Sequence, residues 1–220
     1  MRIFLFLSLF VFLMMGCTPG QPTEPSQRVS LGDEQAHYTF DDPNTPWDVF
    51  SLNGEQAIFR VVDGVLQGAV IANHGYIWSL NQARFNDVAV SATVSQTKGA
   101  RGNGFGVMCR ADEQGNGYYF VVSSAGQFAI LKAQPNVSDP VRLVDWRSDP
   151  AIFQKAESNQ IKAICVGDYL AFYANGHFLA EVHDSEFSSG QLGVVLGAID
   201  ETLWVNFDDV IVNNVALLGG

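Results

Sequence analysis

Apolar and polar residues alternate with a period of two along most of this chain. The stretch Val88-Ala89-Val90-Ser91-Ala92-Thr93-Val94 sets Val88, Val90, Ala92 and Val94 on one face of an extended strand. Similar runs occur at 57–62, 65–71, 76–80, 104–111, 118–123, 128–132 and 141–146, then at 161–166, 169–174, 178–183, 191–196 and 203–212. Between them sit Asp63-Gly64, Ala125-Gly126, Gly167-Asp168 and Asn175-Gly176. Asn-Gly between β-rich runs marks a tight hairpin, because both central residues of a type I′ turn need positive φ. No segment carries an apolar stripe at helical spacing. A dozen or more short strands predict an all-β domain folded as a two-sheet antiparallel β-sandwich.

The turns also predict register. A two-residue turn at Gly167-Asp168 sets Cys165 opposite Leu170 and Ala163 opposite Phe172, an apolar face that carries Cys165. A symmetric turn over 113–116 sets Cys109 opposite Phe120, again on the core side. Two inward cysteines on separate hairpins predict a Cys109–Cys165 disulfide, consistent with export to an oxidising compartment. The same register sets Arg110 opposite Tyr119, with Met108 beside them, on the face away from the core. A ring beside a guanidinium suits a sugar, whose C–H face stacks while its hydroxyls take hydrogen bonds. Trp78 and Trp146 are further candidates for that platform.

The N-terminus differs from the rest. Arg2 precedes an apolar stretch over 3–15, the length of a signal-peptide core and too short to span a bilayer. Leu13-Met14-Met15-Gly16-Cys17 resembles the lipobox of bacterial lipoproteins, with Met14 where Leu is commoner. The resemblance implies a signal peptide over 1–16 and a lipidated Cys17 as the mature N-terminus, and thus an exported protein anchored to a bacterial membrane or cell envelope. More than one acyl chain makes such an anchor durable. Residues 18–28, TPGQPTEPSQR, cannot bury enough surface to fold, so 17–29 reads as a flexible, disordered linker to one domain over 30–220. A formal charge of −11 argues against nucleic acid or anionic lipid as a partner and leaves a neutral glycan admissible.

From Tyr38 to Val212 an ordered set of short elements is similar to the concanavalin A-like lectin/glucanase jelly roll. It resembles the laminin-G-like and 3-keto-disaccharide-hydrolase-like modules of exported bacterial proteins above all. The elements are Phe40-Asp41-Asp42, 62–66, 104–110, 117–120, 126–128, 159–161, Asn175-Gly176, 190–193 and 207–210. The resemblance implies a jelly-roll fold, and that fold hosts lectins, glycosidases and adhesive domains alike.

Catalytic chemistry is poorly supported. Glucanases of this fold align their carboxylates on one strand face at period two, whereas Glu181 and Asp184 are three apart and Glu186 runs into a turn, so they read as hydrated loop acids. His37, His74, His177 and His183 have no ligand spacing. No cofactor is expected, with one exception. Asp41-Asp42 and Asp208-Asp209 lie near the two ends of the domain, which often pair in jelly rolls, and together could ligate a structural calcium. The expected function is a surface-tethered, non-catalytic, lectin-like lipoprotein with a glycan as ligand. The alternatives are a structural or protein-interaction lipoprotein on the same scaffold, or a glycoside-processing enzyme.

Overall fold

The computed structural model describes residues 24–218; the apolar leader, Cys17 and the first part of the linker lie outside them. The described residues form fifteen strands in two antiparallel sheets, and none of them is helical. The larger sheet runs β13 (His177–His183), β12 (Tyr169–Ala174), β11 (Asn159–Val166), β6 (Val88–Lys98), β15 (Leu203–Leu217), β4 (Val65–Val70), β3 (Ala57–Val62) and β2 (Phe50–Leu52). A ninth strand, β1 (Val29–Tyr38), pairs with the C-terminal half of β15. The smaller sheet runs β10 (Val141–Ser148), β9 (Gln127–Ala133), β8 (Gly117–Ser123), β7 (Gly104–Ala111), β14 (Gly190–Ala198) and β5 (Gly75–Phe85).

The core lies between the sheets and follows the alternation. Phe105, Val107 and Cys109 of β7, Phe120 and Val122 of β8, and Val194 and Leu196 of β14 face Val90, Ala92, Ala163, Phe172 and Phe207 of the larger sheet. Phe120 and Phe128 both meet Phe172 edge-on, at 5.5 and 6.2 Å between ring centres. Such crossings favour aromatic quadrupoles over a face-to-face sandwich. Cys109 and Cys165 form the expected disulfide, which ties β7 to β11 and so joins the two sheets.

Register follows the turns where these are short. Cys165 faces Leu170 and Ala163 faces Phe172, as the Gly167-Asp168 turn requires. Asp63-Gly64 and Asn175-Gly176 have positive φ at both residues, the type I′ signature. The β7–β8 hairpin differs from expectation. Cys109 faces Tyr118 and Met108 faces Tyr119, a slip of two positions. The cause is the Asp112 carboxylate, which accepts the amides of Gln114 and Asn116 and the Asn116 side chain, building an asymmetric loop. A slip of two keeps each side chain on its face, so Cys109 still points inward and Tyr119 outward.

Arg110 is displaced entirely. Its φ is 54°, and a bulge against β14 falls at this point of β7. A bulge re-aims the side chain of the extra residue, and here it turns Arg110 off the outer face and out of line with Tyr119.

Candidate functional site

Strand alternation places a second set of side chains on the face of the smaller sheet that points away from the core. Leu80, Met108, Tyr119, Val121, Ala129, Leu131 and Val195 are buried there, beneath half-exposed Tyr76, Trp78 and Trp146. Water would otherwise meet a broad apolar sheet surface, so the aromatic rings serve as its cover.

Two of the rings lie down on glycines. A methyl group at Gly197 would sit 2.8 Å from Cδ1 of Tyr76, and one at Gly104 would sit 3.0 Å from Cη2 of Trp146. Glycine within a strand often marks such a close approach. Trp146 on β10 reaches β7, three strands away, so the sheet curls toward this face. The result is a groove of 470 Å³ with Tyr76 and Trp146 as walls and Gly104 and Gly197 in its floor. Asn73, Asp139 and Arg142 form its polar rim.

The electrostatics keep the groove neutral at its centre. Burial pushes the Tyr76 phenol up to about 12; Arg142 draws it down and Asp139 pushes it further up. The hydroxyl therefore remains protonated at physiological pH and can both donate and accept. Arg142 stays exposed at the rim, with Nη1 3.2 Å from Asp145 Oδ1, and its forked guanidinium keeps further donors for a ligand. The arrangement offers stacking surfaces along the walls and hydrogen-bonding groups around the edge.

The residues expected from sequence are distributed unevenly. Trp146 lines this groove. Trp78 lies on the same face, against Gly115, where a methyl would sit 2.6 Å from its ring. Tyr119 is buried beneath them: it meets Tyr76 edge-on at 5.6 Å, and its hydroxyl donates to the Gly115 carbonyl. Arg110 belongs elsewhere and is only 2% exposed. Its guanidinium donates to the carbonyls of Asn86, Gly167 and Phe187 and to Asp87, tying together three connecting segments at one end of the sandwich. Arg110 and Tyr119 therefore do not lie side by side, and the aromatic rings that line the groove are Tyr76 and Trp146. Tyr76 was detectable, since it alternates with Trp78 on one strand. Asn73 and Asp139 sit on connecting segments without any periodic signal.

The acids read as hydrated are fasteners. Asp184 Oδ2 lies 2.6 Å from Lys132 Nζ, and Tyr118 donates to its other oxygen at 2.6 Å. Burial opposes its charge, but the bonds from Lys132 and Tyr118 prevail and hold the carboxyl below its usual range. Glu186 completes the cluster 2.8 Å from Lys132. Glu181 accepts from the Ser26 amide and the Tyr169 hydroxyl.

The aspartates proposed for calcium are partly neighbours, because β1 pairs with β15. Asp41 accepts from Thr39, Asp42 from Asn44, Asp208 from the Asp209 amide, and Asp209 lies 3.0 Å from His37. Among the described residues no three His, Cys, Asp or Glu side chains converge to hold a metal ion.

No known family profile matches the chain, and no curated protein is detectably similar in sequence. Solved structures do match its shape. The carbohydrate-binding module CBM66 from Bacillus subtilis is 21% identical with a TM-score of 0.61, over 77% of this chain and 96% of that one. A Bacillus subtilis protein of unknown function with a galectin-like fold is 13% identical with a TM-score of 0.64, over 86% of this chain and 99% of that one. The fold shared with them is a two-sheet antiparallel β-sandwich of jelly-roll type, in keeping with the concanavalin A-like resemblance of the sequence. The GH43 protein BlXynB from Bacillus licheniformis is 11% identical with a TM-score of 0.58, over 84% of this chain but 40% of its own. At such identities the likeness is one of fold.

Proposed function

We propose that this protein binds carbohydrate in the groove between Tyr76 and Trp146. The observation that carries the reading is the pair of aromatic rings laid over Gly197 and Gly104 within a rim of Asn73, Asp139 and Arg142. Sugars present apolar C–H faces and a girdle of hydroxyls, and this site offers a partner to each. A structural neighbour named as a carbohydrate-binding module adds support. Glycoside hydrolysis uses two carboxylates roughly 5–9.5 Å apart, whereas Asp139 is the one acid among the described residues lining the groove. Binding without catalysis is the better fit.

The apolar leader and the lipobox-like residues before Cys17 support an exported, lipid-anchored protein. Residues 26–29 bear on how such a protein would present its groove. The Ser26 amide donates to Glu181, and Val29 packs beside Val215, Ile164 and Ala89 on the outer face of the larger sheet. The N-terminal segment thus joins the domain on the side opposite the groove, and an anchor there would leave the groove facing outward.

The test is a glycan array probed with the labelled chain from Thr18 onward, which retains every described residue. Saturable binding to a defined set of glycans supports the reading, and a folded protein that binds none overturns it.

A further inference from the structure

Tyr76 is also a wall of a second hollow, of 490 Å³. This one lies between the two edge strands β5 and β2, beyond the point where Trp47 and Asp48 cover the edge of β5. Its lining is apolar: Val49, Phe50, Leu52, Ile77 and Trp78, with Asp48 and His74 at the margin. Val49 and Leu52 are 53% and 47% exposed, although other aliphatic side chains of similar size fill the core. A contiguous apolar surface rimmed by polar groups commonly marks a binding site.

We propose that the ligand is a glycoside bearing an apolar substituent, with its sugar in the groove and an acyl or alkyl chain laid past Tyr76 into this hollow. The inference rests on the carbohydrate reading of the groove. Tyr76, shared by both linings, sets the two sites side by side, and their chemistry divides the ligand between them. A sugar ring placed against Val49, Leu52 and Ile77 would have its hydroxyls stripped of water with no partner in return. A chain of methylenes loses nothing there, and each one buried improves affinity about fourfold.

The test compares methyl and hexyl glycosides of the common hexoses, pentoses and N-acetylhexosamines, titrated into the chain from Thr18 onward. Val49→Ser/Leu52→Ser replaces two exposed side chains, and circular dichroism verifies its fold. The expected result is at least one sugar whose hexyl glycoside binds ten or more times tighter than its methyl glycoside. The double variant should lose that gain and keep the methyl affinity, while Trp146→Ala weakens both. Equal affinity of methyl and hexyl forms, still sensitive to Trp146→Ala, overturns the inference and leaves the groove as a sugar site. Absence of binding to every glycoside removes both. A dimer in sedimentation that Leu52→Ser dissociates gives the hollow to a second copy and also overturns the inference.

Discussion

The tip of the Trp146 indole rests on Gly104, three strands away across the smaller sheet, so close that a methyl there would come within 3.0 Å of the ring. The depth and shape of the groove depend on that contact. Gly104→Val would lift the ring out of the wall it forms. The expected outcome is loss of glycan binding with a stability cost of roughly 1–3 kcal/mol from overpacking. Calorimetric titration beside a thermal melt separates the two effects.

Arg110 makes the opposite prediction. Its side chain is enclosed and satisfies three backbone carbonyls on separate connections. Arg110→Met keeps the length and removes the donors, leaving buried acceptors unpaired at a cost of about 3 kcal/mol. Urea unfolding should show that loss, while glycan affinity of the folded variant stays unchanged.

The Lys132–Asp184 pair sets a pH dependence whose sign is fixed. The Asp184 carboxyl is held below its usual 3.8, so its stabilisation is present above that value and is lost as pH falls through the lowered one. Lys132 is raised above 10.5; burial opposes this, but bonds to Asp184 and Glu186 prevail, so its share is complete below 10.5 and fades as pH rises through the higher value. Asp184→Asn should destabilise the protein at pH 7 by roughly 2–4 kcal/mol, since Lys132 then loses a largely buried partner. Its stability should also fall less steeply than wild type between about pH 5 and about pH 2. Urea midpoints at pH 7 and across that range give both numbers.

The disulfide closes a loop with a sequence separation of 56. In the chain-entropy picture a loop of that size contributes about 4 kcal/mol through the unfolded state. The Cys109→Ala/Cys165→Ala variant should lower the urea midpoint accordingly. Dithiothreitol should shift the wild type the same way and leave the variant unmoved.

Much of this architecture is legible in the chain because most strands bury one face. At 88–94 the alternation alone marks the strand and its inward side. It fails at β1, where Gly32, Asp33, Glu34 and Gln35 are all exposed and the pairing slips between Leu31 and Ala36. It fails also at β2, three residues long and largely wet. Register is legible at Gly167-Asp168, where two residues allow one geometry. It is not legible between β7 and β8, where the Asp112 side chain decides the loop. On β5 the outer face is legible by parity, which sets Tyr76, Trp78 and Leu80 together; on β10 it is not, because a register shift between core-facing Val144 and Arg147 turns Trp146 outward. The groove is not, because it forms only when curvature brings Trp146 over Gly104 and when connecting segments deliver Asn73 and Asp139. Arg110 misleads for a related reason: a bulge breaks the parity of β7 at that residue.

If Trp146 and Tyr76 wall a sugar-binding groove, removing one wall abolishes binding. Native electrophoresis through gels containing each of a panel of soluble polysaccharides, wild type beside Trp146→Ala, tests it most directly. At least one polysaccharide should retard the wild type and leave the folded variant at its sugar-free mobility. Equal migration of the two proteins in every gel, retarded or not, would contradict it.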